Sequence, residues 1–221
     1  MPPVRSAPEL LALHAVRLLG HGDDAALARR FALDREQVAE TMLDDEAYGW
    51  VRRVSFADTR GWTLTTAGRA ADERMLAQEL EATGAIGAVT DAHAAFVPLN
   101  ARFQAACTHW QIRPQPGQPL AANDHTDYRW DSRVIDELVS LGRRLEPVAT
   151  SLAVHLARFD GYADRYSAAV ARVERGERRW VDSLDVDSCH RVWFELHEDL
   201  LATLGLERGG ERPPSEGTAR Q

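Results

Sequence analysis

The stretch GWVRRVSFADTRGWTLTTAGR, Gly49 to Arg69, decides how the first third of this chain folds. VRRVSF reads as a short strand carrying Val51, Val54 and Phe56. Ala57 to Gly61 has the composition of a turn, and WTLT returns as a second strand. Thr65 or Thr66 then caps a long helix that opens AGRAADERMLAQELEA and runs to Ala82. Gly49 sits where a preceding helix needs a C-terminal glycine.

Upstream, the pattern resolves into three helices. Ser6 and Glu9 have the spacing of a capping box, and Leu10, Leu13, Val16 and Arg17 share a stripe that stops at Gly20 and Gly22. Asp23 or Asp24 caps a second, short helix through Phe31. After Ala32-Leu33, Asp34 caps a third, with Val38 and Met42 facing inward. Three helices, a hairpin and a further helix are the order of a winged helix-turn-helix.

GWVRR followed by GWTLTTAGR resembles the wing and post-wing helix of bacterial winged-helix repressors of the multiple-antibiotic-resistance-regulator (MarR) type. The resemblance covers about the first third of the chain. It implies that the third helix enters a DNA major groove while the wing touches phosphate or the minor groove. Carried over, the groove-facing residues are Arg35, Gln37 and Thr41, and the wing residues are Arg52, Arg53 and Arg60. The third helix itself complicates this. Glu36, Glu40, Asp44, Asp45 and Glu46 stand against Arg35 alone, a net charge of -4. Such a helix is repelled by DNA unless its acids point away, and the competing reading is a winged helix used for dimerisation or docking.

The remainder is almost entirely helical by pattern. Val89 to His109 has helical spacing, with Phe96, Leu99, Phe103 and Trp110 inward and Pro98 expected to kink or break it. Arg113 to Asp127, RPQPGQPLAANDHTD, is the longest irregular segment, and loops of that length are often functional. Tyr128 to Leu145 is a helix. Pro147 is expected to open the next one, which continues to Phe159. Tyr162 to Val173 follows, and Asp187 or Ser188 caps a last helix that Gly205 ends. The tail ERGGERPPSEGTARQ has the composition of a disordered segment. The expected domains are thus 6–83, the winged helix, and 84–206, a helical effector-sensing or assembly domain, with 207–221 as tail. The fold class is mainly α, with the small wing as its sheet.

CTHWQIRP, NDHTDY and DSCHRVWFELHEDLLATLG together resemble the C-terminal helical domain behind winged helices in many uncharacterised regulators of GC-rich bacteria. Cys189 stands where that pattern has an aromatic.

The candidate ligand-contacting residues fall in four groups. Trp110 and Arg113 end one helix, and Asp124 and His125 lie in the loop. Tyr162 and Arg165 form a weaker third group, and His190, Trp193 and His197 share one stripe of the last helix. Aromatic walls with a few convergent polar groups are the usual form of a small-molecule site, and either arginine suits a carboxylate or phosphate. A metal site is disfavoured, because His190 and His197 are separated by roughly 10 Å along a helix axis at 1.5 Å per residue. FELHED also lacks the His-Glu-x-x-His order. The bland alternative is that these histidines are neutral core groups with hydrogen-bonded partners.

Composition bounds the rest. The chain has 221 residues and a net charge of -8, and all 26 of its basic residues are arginine. That balance argues against bulk coating of nucleic acid. The two cysteines, Cys107 and Cys189, are far apart and lack metal-site spacing, which suits a reducing cytoplasm. No apolar run suggests a membrane span. No GxSxG, Gly-rich phosphate loop or dinucleotide fingerprint points to an enzyme. The expectation is therefore a cytoplasmic, homodimeric transcriptional regulator with no cofactor. Its partners would be double-stranded operator DNA and a small-molecule effector.

Overall fold

Asp23, Asp34 and Thr65 each turn the chain into a helix by accepting backbone N–H groups of the first turn. Asp23 accepts from Ala26, Asp34 from Glu36 and Gln37, and Thr65 from Gly68. In the computed structural model, which describes residues 2–56 and 59–207, these caps begin α2 (Asp24–Phe31), α3 (Arg35–Ala47) and α4 (Thr66–Thr83). The first helix, α1 (Pro8–Leu19), starts differently from the sequence expectation. Its N-cap is Ala7, with no side-chain cap. Pro8 occupies the first turn, where a missing N–H costs nothing, and Ser6 is left one residue too early, its hydroxyl buried and unpaired among the described residues.

α3 ends at a glycine. Gly49, at φ +73°, lets the Gly49 N–H reach the Glu46 carbonyl at 3.0 Å and the Trp50 N–H reach that of Asp45 at 2.8 Å. This double bond is a Schellman closure. The hairpin follows at once: β1 (Val51–Phe56) pairs antiparallel with β2 (Thr59–Leu64), with Val51 opposite Leu64 and Arg53 opposite Trp62. β2 thus begins three residues earlier than the expected WTLT. Thr59 to Gly61 of the expected Ala57–Gly61 turn are therefore strand, while its Ala57 and Asp58, the inward Phe56 side chain and the tail from 208 onward lie outside what is described.

Trp62 fastens the hairpin to the helices. Its backbone exchanges hydrogen bonds with Gly22 at 2.8 and 3.3 Å, and its indole Nε1 donates to Asp24 at 2.7 Å. Ala12, Leu13, Val16, Leu27, Val38, Met42, Val51 and Ala71 pack with it into one core. α4 meets the hairpin backbone so closely that a β-carbon at Gly68 would lie 1.9 Å from the Trp50 carbonyl oxygen.

The chain divides into two units. The first contains residues 1–89 together with 153–158 and 197–206. Val4 pairs with the 155–157 segment through two 2.9 Å backbone hydrogen bonds, and Leu10, Leu76 and Ala202 pack together.

The second contains 90–152 and 159–196. It holds most of α5 (Ile86–Gln111) and α6 (Tyr128–Ala153), all of α7 (Tyr162–Glu174), and the first half of α8 (Cys189–Leu204). Trp193 is its centre. The indole lies parallel to Phe103 at 4.5 Å, contacts Phe96 and Tyr166 at 5.1 and 5.5 Å, and donates to Asn100 at 3.0 Å. The two internal prolines stand differently: α5 shows no break at Pro98, whereas Pro147 departs from expectation. α5 runs through Pro98, and α6 runs through Pro147, so no new helix starts there. Each proline and the residue four before it, Ala94 and Arg143, is exposed. The carbonyls freed by the missing N–H therefore face water. On α6 the buried stripe Val134, Leu138, Leu141, Leu145, Ala149 and Leu152 continues past the proline unbroken. Ser188, rather than Asp187, caps α8 through the Arg191 N–H at 3.2 Å.

The fold is mainly α, an N-terminal winged helix-turn-helix with a two-stranded antiparallel wing followed by helices. No helix among the described residues is long and apolar enough to cross a membrane.

Candidate functional site

The buried side of α3 is Val38, Met42 and Asp45. Helical phase then places Glu36, Glu40 and Asp44 on the opposite, outward side, all of them exposed, with Leu43 beside them at 51% exposure. Arg35 and Gln37 are exposed in the first turn, while Thr41 is half-buried and its hydroxyl donates to the Gln37 carbonyl at 2.9 Å. Asp45 is nearly enclosed. Burial, with Asp44 adding like charge, pushes its carboxyl up to about 7.

The three wing arginines behave differently. Arg53 is held by Glu46 at 3.2 Å and its guanidinium lies 4.7 Å from the Trp62 ring. Arg52 and Arg60 are exposed and make no ion pair among the described residues. Strand alternation puts Arg52 on the opposite face of the hairpin from Arg53 and Arg60.

In the second unit the 113–127 loop is pinned by the residues expected to bind a ligand. Trp110 is buried and its ring contacts the His125 imidazole at 4.4 Å. His125 adopts φ +58°, uncommon outside glycine. Its Nδ1 sits 3.1 Å from both oxygens of buried Asp131. Asn123 donates to Asp131 at 2.9 Å and to the Trp110 carbonyl at 3.0 Å. Arg113 reaches Asp124 and Asp127, each at 3.4 Å. Trp110, Arg113, Asp124 and His125 are therefore brought together, with Asn123 and Asp127 of the same NDHTDY segment, and with Asp131, a partner that the sequence analysis had not singled out.

The other candidates stand apart from that cluster. Arg165 is bidentate to Asp187 at 2.6 and 2.7 Å, reaches Glu195 at 2.8 Å and lies 5.6 Å from the Tyr162 ring. His190 is stacked between Phe103 and Phe194, with its Nδ1 enclosed and unpaired among the described residues. Trp193 belongs to the aromatic centre of the second unit. His197 is buried in the first unit.

A groove of about 340 Å³ lies between α5 and α6. Arg102, Ala105, Ala106 and His109 line it from α5; Trp130, Arg133, Val134 and Glu137 line it from α6. Each set has the spacing i, i+3, i+4, i+7, one face of a helix. Both faces were legible as helical in the sequence. Their pairing across the groove was not, because it depends on antiparallel register rather than on either period alone.

The first unit also encloses a charged cluster that sequence reading missed. His14, fully buried, places Nδ1 3.1 Å from Asp72 and Nε2 3.2 Å from Asp199. Arg17 donates to Glu198 at 2.9 Å, to Glu73 at 2.9 Å and to Asp72 at 3.2 Å. Arg158 joins Asp199 at 3.3 Å, Thr203 at 2.7 Å and Glu79. The available signal was the intrusion of His14 and Arg17 into the apolar stripe of α1.

The architecture defines a class, the mainly α protein with an N-terminal wing. No protein family, curated protein or solved structure matches the chain significantly.

Proposed function

We propose that this chain is a cytoplasmic, homodimeric transcriptional regulator that meets operator DNA wing first, with its second unit sensing a small molecule. The observation that carries the reading is the pair Arg52 and Arg60, exposed on the hairpin without ion-pair partners among the described residues. Arginine on a wing neutralises phosphate or enters a narrow minor groove. Arg35 and Gln37, in the first turn of α3, are the groove-facing contacts that remain compatible with this mode. Glu36, Glu40 and Asp44 oppose deep seating of the helix, since all three would meet phosphate oxygens. The likeness of GWVRR and GWTLTTAGR to MarR-type repressors supports the same reading.

Anisotropy titration of the full chain against a duplex from its own upstream region tests it across salt. Each neutralised phosphate contributes a slope of about -0.9 to log K against log salt. Two arginines per copy in a dimer give a slope of roughly -4 on the same basis. Combined Arg52→Gln and Arg60→Gln substitution is expected to remove binding. Binding that survives it overturns the reading.

One observation favours a second reading, a docking role for the winged helix. The acidic outward face of α3 carries half-exposed Leu43, and Tyr48 just beyond it is 69% exposed and stacked on Trp50 at 4.9 Å. Glu36→Gln with Glu40→Gln separates the two: DNA affinity rises under the first reading and stays undetectable under the second.

A further inference from the structure

α5 and α6 pair antiparallel along their groove in a fixed register. Arg102 holds Glu137 through two bonds of 2.8 and 2.9 Å at one end. At the other, the Trp130 indole donates to the His109 carbonyl at 2.7 Å and stands edge-on to the His109 ring at 5.6 Å. Seven residues separate the two ends on each helix, about 10 Å at 1.5 Å per residue. Between them the α5 side chains are small. Ala105 and Ala106 on α5 leave open the space above Val134 that larger residues would fill.

The charges of the groove do not cancel. Glu137 is already neutralised by its bidentate arginine. Arg133 is exposed, lies 5.2 Å from the Trp130 ring, and has no carboxylate partner among the described residues. An apolar floor, an aromatic wall and one unneutralised guanidinium form a site for a flat anion. A carboxylate suits the planar guanidinium fork, and a ring suits the indole face.

We infer that the α5–α6 groove binds an aromatic carboxylate of about two fused rings, its ring over Ala105 and Ala106 against Trp130 and its carboxylate on Arg133. The length between the Arg102–Glu137 pair and the Trp130–His109 contact selects that size. The inference deepens the small-molecule half of the proposed function, placing the ligand on residues outside the loop cluster around His125. It is tested without DNA, so a failed operator titration leaves it standing.

The probe is 2-naphthoate, titrated into the full chain by calorimetry and by quenching of tryptophan fluorescence. 2-Naphthylmethanol serves as its neutral counterpart and 2-naphthylmethylammonium as its cationic one. Naphthoate is expected to bind with a dissociation constant on the order of 1 mM or tighter, the alcohol at least tenfold more weakly, and the ammonium not at all. Arg133→Gln is expected to weaken naphthoate at least tenfold, with Arg133→Lys intermediate. Ala105→Leu fills the groove at an exposed position and is expected to abolish binding while circular dichroism stays unchanged. Equal affinity for the three probes, naphthoate binding indifferent to Arg133→Gln and Ala105→Leu, or no binding at all, overturns the inference.

Discussion

The His14 Nδ1 lies 3.1 Å from Asp72 Oδ1, and neither side chain has any exposed surface. With Asp199 at 3.2 Å on the other ring nitrogen, both nitrogens face carboxylate oxygen. The Nδ1 hydrogen bond to Asp72 and the Nε2 ion-pair contact with Asp199 both favour the doubly protonated ring. Burial opposes that charge, but Asp72 and Asp199, through charge and hydrogen bonding, outweigh it and hold the imidazolium up to about 9. A cation raised in this way contributes stability that is full below its unfolded value near 6.5 and is lost as pH rises through about 9. Urea unfolding midpoints are therefore expected to fall between pH 7 and 9.5, by an amount equivalent to about 1–3 kcal/mol. A flat profile over that range would show that His14 is neutral in the folded state.

The acid side of the same cluster has the opposite sign. Burial raises the Asp199 carboxyl, but His14 and Arg158 overcome it and bring it down to about 2. Its contribution is present above the unfolded value of 3.8 and is lost as pH falls through about 2. His14→Leu removes the group between two enclosed carboxylates. Breaking a buried ion pair from one side costs about 3–5 kcal/mol, so chemical denaturation should show a loss of that order near neutral pH. The same substitution should also abolish the alkaline decline, and its persistence would assign that decline to another group.

Gly68→Ala tests how the wing is joined to α4. The new methyl would sit 1.9 Å from the Trp50 carbonyl oxygen, and that oxygen also accepts from the Thr65 N–H at 2.9 Å and its hydroxyl at 3.1 Å. Backbone on both sides must shift. A loss of at least about 3 kcal/mol is expected in thermal or urea unfolding, the scale of overpacking in a rigid site. The natural helix preference of alanine over glycine, about 1 kcal/mol, acts in the opposite direction. A net stabilisation would show that α4 can move away from the hairpin.

How much of this was visible beforehand follows from the range of each interaction. Asp23, Asp34 and Thr65 act on N–H groups two or three residues away, so their caps and the helices behind them could be read from local sequence. The hairpin was legible for the same reason. Ser6 misled because its spacing to Glu9 was right while Pro8 had already claimed the first turn. Pro147 misled because helix interruption depends on whether freed carbonyls meet water. Nothing local announces that His14 pairs 58 residues away or that Arg17 pairs 181 residues away. The loop cluster was half legible: the NDHTDY segment gathered the right polar residues, but Asp131, on the following helix, is the carboxylate that His125 engages.

Asp45 links stability to the proposed DNA contact. Burial, then the neighbouring Asp44, raises its carboxyl from 3.8 to about 7, and one of its oxygens is enclosed without a donor among the described residues. A carboxyl raised on folding contributes nothing unfavourable while protonated in both states, and destabilises progressively as pH climbs from 3.8 through about 7. Asp45→Asn is therefore expected to leave stability at pH 4 nearly unchanged and to raise it at pH 8, by about 1–3 kcal/mol. On the wing-first reading the same ionisation adds a negative charge to the helix nearest the duplex. Wild-type affinity for the operator should thus fall as pH rises from 6 to 8 at constant salt, and the Asp45→Asn variant should lose that dependence. Equal pH profiles for the two proteins in anisotropy titration would mean that this carboxyl is not felt at the DNA, even if the stability difference is found.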